Sequence, residues 1–351
     1  MSRQRFLDTI SLKPTDRIAQ NEWLDQPDFV MKLTGIDPYE DPAGAVAAAI
    51  CKLGLDLYIG LPHHSEKFEV GQETKALGEG RYVSRWGFTG SSWHLGHQFA
   101  DEFEVLDYDP FAGTTFESRQ TGYQRVIDNI MSDQQMVGEA CYISGLYYTT
   151  LFQWFILTFG WEMFLITAAT EPARFEKTIE HFTKLSVEYA QYFAQSDLPV
   201  FFCHDDIALT RGLVFSPQWY RKYILPSYEQ ILDPIKSAGK KIMFVSDGNY
   251  TALIDDLIAV GVDALFCDQY VDIEWVLDQY GGKIAVVGNA NIEILTRGTV
   301  EDVRKEVIRC MNYGKKHPGY VMHVSGDMPH NVPLENLEAY FAFCQEYGRL
   351  S

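Results

Sequence analysis

Cysteine is sparse and scattered in this chain. Its six thiols, at 51, 141, 203, 267, 310 and 344, form no CxxC pair and no disulfide-like spacing, which points to a reducing, cytoplasmic setting. Basic residues are also short: 29 Lys and Arg face 48 Asp and Glu, for a net charge of −19 spread along the chain. That balance argues against a nucleic-acid partner, since phosphate binding needs Lys and Arg in quantity. No apolar run approaches membrane-spanning length, and Met1-Ser-Arg-Gln-Arg lacks the apolar stretch of a secretory signal. The greasiest segment, Leu151–Phe164, is interrupted by Gln153, Gly160 and Glu162, so it is expected as a buried helix or pocket wall. Low-complexity linkers and internal repeats are missing too. The expectation is a soluble, cytoplasmic protein with no membrane partner, for which a homodimer is an allowed assembly.

What is present is a large apolar fraction, 46% of 351 residues, written as short apolar runs alternating with amphipathic stretches. Strands are predicted at Ile18–Trp23, Leu55–Gly60, Val137–Ser144, Pro199–Cys203, Lys241–Val245, Ala264–Cys267, Ile284–Gly288 and Tyr320–His323. Helices are predicted over Arg3–Leu12, Gln26–Leu33, Pro42–Leu53 and Pro172–Gln195, from Ser216-Pro217 to Gly239, from a capping box at Thr299–Asp302, and from Pro333 to Tyr347. Alternating aromatics and glycines between Tyr82 and Phe99 suggest an inserted β-hairpin. Strands alternating with helices demand parallel pairing and right-handed crossovers. The fold class expected is α/β: a single (β/α)8 TIM barrel over residues 1–351, with an N-terminal helical extension and the hairpin insertion.

In such a barrel the chemistry sits where the strands end. The strand ends here are polar: Cys203-His204-Asp205-Asp206, Ser246-Asp247-Gly248-Asn249, Cys267-Asp268, Gly288-Asn289 and His323. Asp247, Asp206 and His204 are the expected catalytic groups. His63, His64, Tyr147, Asn289, His323 and Asp327 are the expected substrate contacts. Asp247, Cys267 and His323 are the expected ligands if a zinc ion is bound, because zinc accepts carboxylate, thiolate and imidazole. A protonated acid donating to a departing oxygen, with no metal, is the alternative. Each residue also has a plain structural role open to it. Asp205-Asp206 could brace a strand, Asp247-Gly248-Asn249 could be a turn, Cys267 a small buried residue and His323 a core histidine. Trp86, Trp93, Tyr147, Tyr148, Phe152, Trp154 and Phe155 are expected either in the core or around an apolar pocket for a planar ring.

Cys203–Tyr220, with its Asp-Asp and later Ser-Pro-x-x-Tyr, resembles the corresponding segment of the uroporphyrinogen decarboxylase-like superfamily. Val287-Gly-Asn289 and Gly326-Asp-Met-Pro-His-Asn-Val-Pro-Leu-Glu-Asn336 are similar to it as well. The resemblance implies a single-domain barrel, acting either as a decarboxylase or as a methyltransferase that serves corrinoid proteins, coenzyme M or homocysteine. The decarboxylases carry an early Arg-Gln-Ala-Gly-Arg that grips tetrapyrrole carboxylates. Here that stretch reads Asn21-Glu-Trp-Leu-Asp-Gln-Pro-Asp28, with three acids and no arginine. The methyltransferases often place His-x-Cys-Gly after strand five and a cysteine near strand eight. Here Val245-Ser-Asp247-Gly248 and Val324-Ser-Gly326-Asp327 stand instead. The branch implied is a corrinoid-dependent methyltransferase, like the substrate-demethylating component of O-demethylase systems. It would move a methyl group from a methoxylated, aromatic substrate to the cobalt of a separate corrinoid-binding protein. The alternative is a decarboxylase of a small or tetrapyrrole-like carboxylate.

Overall fold

The computed structural model describes residues 2–78, 81–94, 99–145 and 149–350. A short strand lies at each of the eight places expected: β1 (Ala19–Gln20), β2 (Leu57–Tyr58), β3 (Tyr142–Ile143), β4 (Val200–His204), β5 (Lys241–Val245), β6 (Ala264–Phe266), β7 (Ala285–Val287) and β8 (Tyr320–Met322). The chain divides into two compact units, one comprising Met1–Gly96, Met131–Gly145 and Cys267–Ser351, the other His97–Ile130 and Leu146–Phe266.

In the first unit β7 pairs parallel with β8 and β8 with β1. A parallel bridge joins Asn21 to Leu57, and β2 pairs parallel with β3. In the second unit β4, β5 and β6 form a parallel ladder, with Val245 beside His204 and Phe266. β4 is buried along its whole length, as befits a parallel strand covered on both faces. Helices intervene between the strands, so the class is α/β, with the strand and helix order of a (β/α)8 chain. The opening helix is Ser2–Ile10. The insertion is larger than a hairpin: Thr74–Gly78, Arg81–Ser84 and Ser91–His94 form a three-stranded antiparallel sheet.

Two other expectations change in detail. The helix predicted from Ser216 to Gly239 is two helices, Pro217–Tyr223 and Leu225–Ser237. Pro226 is the cause, because it has no N–H to continue the ladder and its ring crowds the carbonyl four residues back. Phe152–Thr170 is long and apolar enough to cross a membrane. Its Phe152, Phe155 and Phe164 are nevertheless fully buried. Phe155 meets Phe175 and Phe182 edge-on at 5.2 and 5.3 Å, the arrangement aromatic quadrupoles prefer. The helix turns sharply at Gly160, whose φ of 73° lies in the left-handed region. Phe152 and Phe155 therefore belong to the core.

The second unit is braced by one carboxylate. Asp205, fully buried, accepts hydrogen bonds from Leu151 N–H at 2.9 Å, Gln153 N–H at 2.8 Å and the Tyr228 hydroxyl at 2.7 Å. It ties the start of the Phe152–Thr170 helix to the end of β4. Asp205→Ala leaves these three donors buried without an acceptor. We expect it to cost about 3 kcal/mol or more of unfolding free energy, read by urea denaturation. A loss within measurement error would show that the bracing role is wrong.

Candidate active site

In the first unit the backbone just after β1 pairs with the backbone just after β8. Trp23 and Leu24 lie parallel to Asp327 and Met328, so Asp25 and Asp327 are brought close enough for the charge of Asp327 to act on Asp25. The turn of the inserted sheet is built on Asp25. Its carboxylate accepts from Thr89 N–H at 3.0 Å and from the Thr89 hydroxyl at 2.8 Å. Gly87 lies so close that a Cβ there would sit 1.9 Å from the Asp25 carbonyl oxygen, so only glycine fits. Beside it Trp86 Nε1–H donates to Asp327 at 3.1 Å. His330 Nδ1 stands 2.6 Å from the Trp86 carbonyl and must donate to it, since a carbonyl only accepts. Arg85, Trp86, Thr296, Arg297, Asp327 and His330 help to line a cavity of about 540 Å³. That is within the range of about 300–1,000 Å³ usual for small-molecule sites.

Burial pushes the Asp25 carboxyl up to about 7, with the Asp327 charge adding to the rise and the Thr89 hydrogen bonds opposing it. Loss of water raises Asp327 to about 6 against the Trp86 hydrogen bond. Both carboxyls therefore keep their protons closer to neutrality than free carboxyls do, and Asp327 borders the cavity. The arrangement is a proton donor beside a fixed indole. The sequence offered a signal for it, the acids of 21–28 standing where relatives have arginine, but a two-residue ladder between positions 300 apart has no local pattern.

Behind this pair lies a second buried acid. Glu22 accepts from Gln20 Nε2–H at 2.9 Å, Val324 N–H at 3.1 Å and the Tyr340 hydroxyl. Burial raises it to about 8. His323 Nδ1 is 3.1 Å from the Asn21 carbonyl, to which it donates, and 3.6 Å from Glu22 Oε2. Burial drops this imidazole to about 3, so at neutral pH both groups are predominantly uncharged. His323 is fully inaccessible, so the expected substrate contact gives way to a buried, hydrogen-bonded histidine.

In the second unit His204 and Asp206, at the end of β4, meet at 3.2 Å. Burial disfavours the imidazolium, but the Asp206 hydrogen bond and the charges of Asp206, Asp205 and Asp247 outweigh it and raise His204. Burial likewise works against the Asp206 carboxylate, and its bond to His204 prevails and lowers it. Asp247 N–H donates to Asp206 at 3.1 Å, so the three expected catalytic positions do come together. The Asp247 side chain is exposed. Its neighbour Gly248 has a φ of 76°, and a Cβ there would lie 2.6 Å from the Leu209 backbone, which makes the segment a tight, glycine-dependent turn.

The remaining expected residues fare differently. Asn289 is buried, and its amide donates to the carbonyls of Asp268 at 3.0 Å and Val271 at 2.8 Å. It positions a loop, and the substrate contact expected of it is corrected accordingly. Asp268 accepts from the Ser325 hydroxyl at 2.7 Å. His63 is exposed, with Nε2–H on the buried Asp133 carboxylate at 2.7 Å; His64 is exposed. Tyr147 and Tyr148 lie outside the described residues. The expected zinc set does not fit. Among the described residues no three His, Cys, Asp or Glu side chains gather closely enough to hold a metal ion. Cys267 is fully buried.

An α/β chain of parallel strands, with acids and imidazoles at their carboxyl ends, is built as an enzyme of the barrel class. Comparison with known proteins makes this specific. Residues 158–347 match the model of the uroporphyrinogen decarboxylase family, and the chain belongs to that family. A uroporphyrinogen decarboxylase of Prochlorococcus marinus is 25% identical over 185 residues, covering 52% of this chain and 50% of the relative. One from Pelobacter propionicus is 22% identical over 178 residues, 51% of each. The chain thus spans about half the length of the curated relatives it matches. In fold it is similar to a methyltransferase from Methanosarcina mazei, with a TM-score of 0.67 at 16% identity, over 99% of this chain and 98% of that one.

Glu22 supplies a test that needs no substrate. Its unfolded value is near 4.5 and its folded value about 8. Between these the folded state holds a proton that the unfolded state has released, so stability is lost as pH rises through that window. Glu22→Gln keeps the neutral shape and removes the dependence. Thermal or urea unfolding from pH 5 to 8 should show the wild type losing stability relative to the variant; parallel curves would mean Glu22 is ionised in the fold.

Proposed function

We propose that this protein is the substrate methyltransferase of a corrinoid-dependent O-demethylating system, taking a methyl group from a small methoxylated aromatic compound. The observation that carries this reading is the Asp327 carboxyl on a cavity edged by the Trp86 indole, with the buried Asp25 near enough to feel its charge. Breaking a methyl–oxygen bond leaves the electron pair on oxygen, and that oxygen needs a proton. Asp327, facing the cavity, donates it, and Asp25 replenishes and steadies the donor. The reduced corrinoid of a partner protein, when bound, supplies the nucleophile that accepts the methyl group. That partner must bring its cobalt within bonding reach, so it covers the cavity mouth. His204 and Asp206, with Asp247 beside them, are the second acid–base set of the proposal. The fold likeness to a methyltransferase supports the reading.

Decarboxylation is the second reading, because the curated relatives carry that name. Against the tetrapyrrole substrate stands the stretch 21–28, which has no guanidinium to grip several carboxylates. Repulsion by its three acids is weaker than the sequence implied, since Glu22 and Asp25 hold protons near neutrality.

The experiment is incubation with reduced corrinoid protein and a panel of methoxylated arenes, following the cobalt spectrum. Methylation is expected with at least one donor. The rate should fall as pH rises through about 6–7, where the acid pair loses its proton. Asp327→Asn should lower the catalytic rate constant by roughly 10²-fold with the fold intact. Enzymatic formation of coproporphyrinogen from uroporphyrinogen, or an unimpaired Asp327→Asn protein, would refute the proposal.

A further inference from the structure

Trp86 is set in place through its own backbone and that of the residues after it. Its carbonyl accepts from the His330 N–H at 2.9 Å and stands 2.6 Å from His330 Nδ1. The next two residues are pinned to Asp25. Gly87 fits against its carbonyl oxygen, and the Phe88 N–H donates to that oxygen at 3.1 Å. Phe88 itself is fully buried. The Trp86 ring is 44% exposed, yet its one polar atom is spent on Asp327 Oδ2 at 3.1 Å. Among the described residues no other residue donates to the Asp327 carboxyl. An indole N–H donates and never accepts. Of the two oxygens of a neutral carboxyl, the carbonyl oxygen is the better acceptor. The bond therefore makes Oδ2 the carbonyl oxygen and leaves the proton to Oδ1. When that proton departs, its bonding pair stays on the carboxyl. The bond from Trp86 then becomes charge-assisted, roughly twice as strong as one between neutral groups. A contact that tightens as charge develops favours the transition state over the ground state.

We propose that Trp86 is a positioning residue for the acid Asp327. Its indole N–H assigns the proton to Oδ1 and stabilises the carboxylate left when Oδ1 gives that proton away. This deepens the proposed function and rests on it for the identity of the proton acceptor. In the step, the Oδ1–H bond breaks and the proton passes to the oxygen released from the methyl group. The titratable and charged groups around the carboxyl are Asp25 and Tyr58 beside it, Glu73 and Arg85 at the inserted sheet, Glu293 and Arg297 on the helix Ile292–Arg297, and His330 on its own loop. Of these carboxyls and their neighbours, it is Asp327 that holds the indole N–H, so the indole reads its ionisation directly.

The test follows the indole N–H resonance of Trp86 in nitrogen-15-labelled protein from pH 5 to 8, with neither substrate nor corrinoid protein present. Trp86→Phe assigns the signal. It should move downfield as Asp327 ionises, with a midpoint near 6, and the step should vanish in Asp327→Asn. In turnover, Trp86→Phe keeps an aromatic edge but loses the donor. It should lower kcat about tenfold with KM little changed, and move the pH midpoint of kcat up by about one unit. An indole resonance that ignores pH, or that titrates unchanged in Asp327→Asn, overturns the inference. So does a Trp86→Phe loss confined to KM, which would make the ring a cavity wall and nothing more. Because the resonance is read without turnover, the two readings fail separately. A titrating indole without methyl transfer sinks only the reaction assigned. Methyl transfer with an unresponsive indole sinks only the role of Trp86.

Discussion

Two residue pairs, Trp23 with Asp327 and Leu24 with Met328, tie the stretch leaving β1 to the stretch leaving β8. The rest of the candidate site depends on this ladder. It sets Asp25 and Asp327 side by side, and Asp25 in turn supplies the acceptor on which Thr89 and the turn of the inserted sheet are folded. The indole of Trp86 is oriented by the same pair of acids, through Asp327. Without the ladder the turn of the inserted sheet would lose its acceptor on Asp25, and Trp86 the hydrogen bond that orients it.

The acids of this strongly acidic chain do not all do the same thing, and their surroundings sort them. Asp205 is buried and spends its oxygens on three donors, which oppose but do not cancel the rise to about 6 that burial causes. Asp206 has an imidazole beside it and is held ionised. Asp25, Asp327 and Glu22 have burial without a cationic partner, so they keep protons toward neutrality. An unpaired buried carboxyl gains more by remaining neutral than by ionising. That is the property a proton donor requires.

The inserted sheet shows how local and tertiary requirements meet. Alternating aromatics and glycines announced antiparallel strands there, and antiparallel strands are what formed. The necessity of Gly87 is different in kind. It arises because Asp25, more than sixty residues earlier, occupies the space a Cβ would need. The aromatic residues divide in the same way. Phe152 and Phe155 looked equally suited to core or pocket, and edge-on packing with Phe175 and Phe182 took them into the core.

The sequence by itself determined the eight strand positions, the helix starts at Ser216 and Thr299, and the α/β class. These follow from apolar runs, caps and prolines, which act over a few residues. It also determined that His204, Asp206 and Asp247 would share one end of the strands, because parallel neighbours finish side by side. Only the tertiary structure decided that Asn289 and His323 are buried supports, since a polar residue at a strand end reads the same whether it faces a cavity or a neighbouring backbone. Only it showed Glu22 and Asp25 to be buried acids and set Trp86 at the edge of the cavity. Their proximity to one another or to the cavity is set by pairing across nearly the full length of the chain, and no pattern within a few residues encodes such pairing.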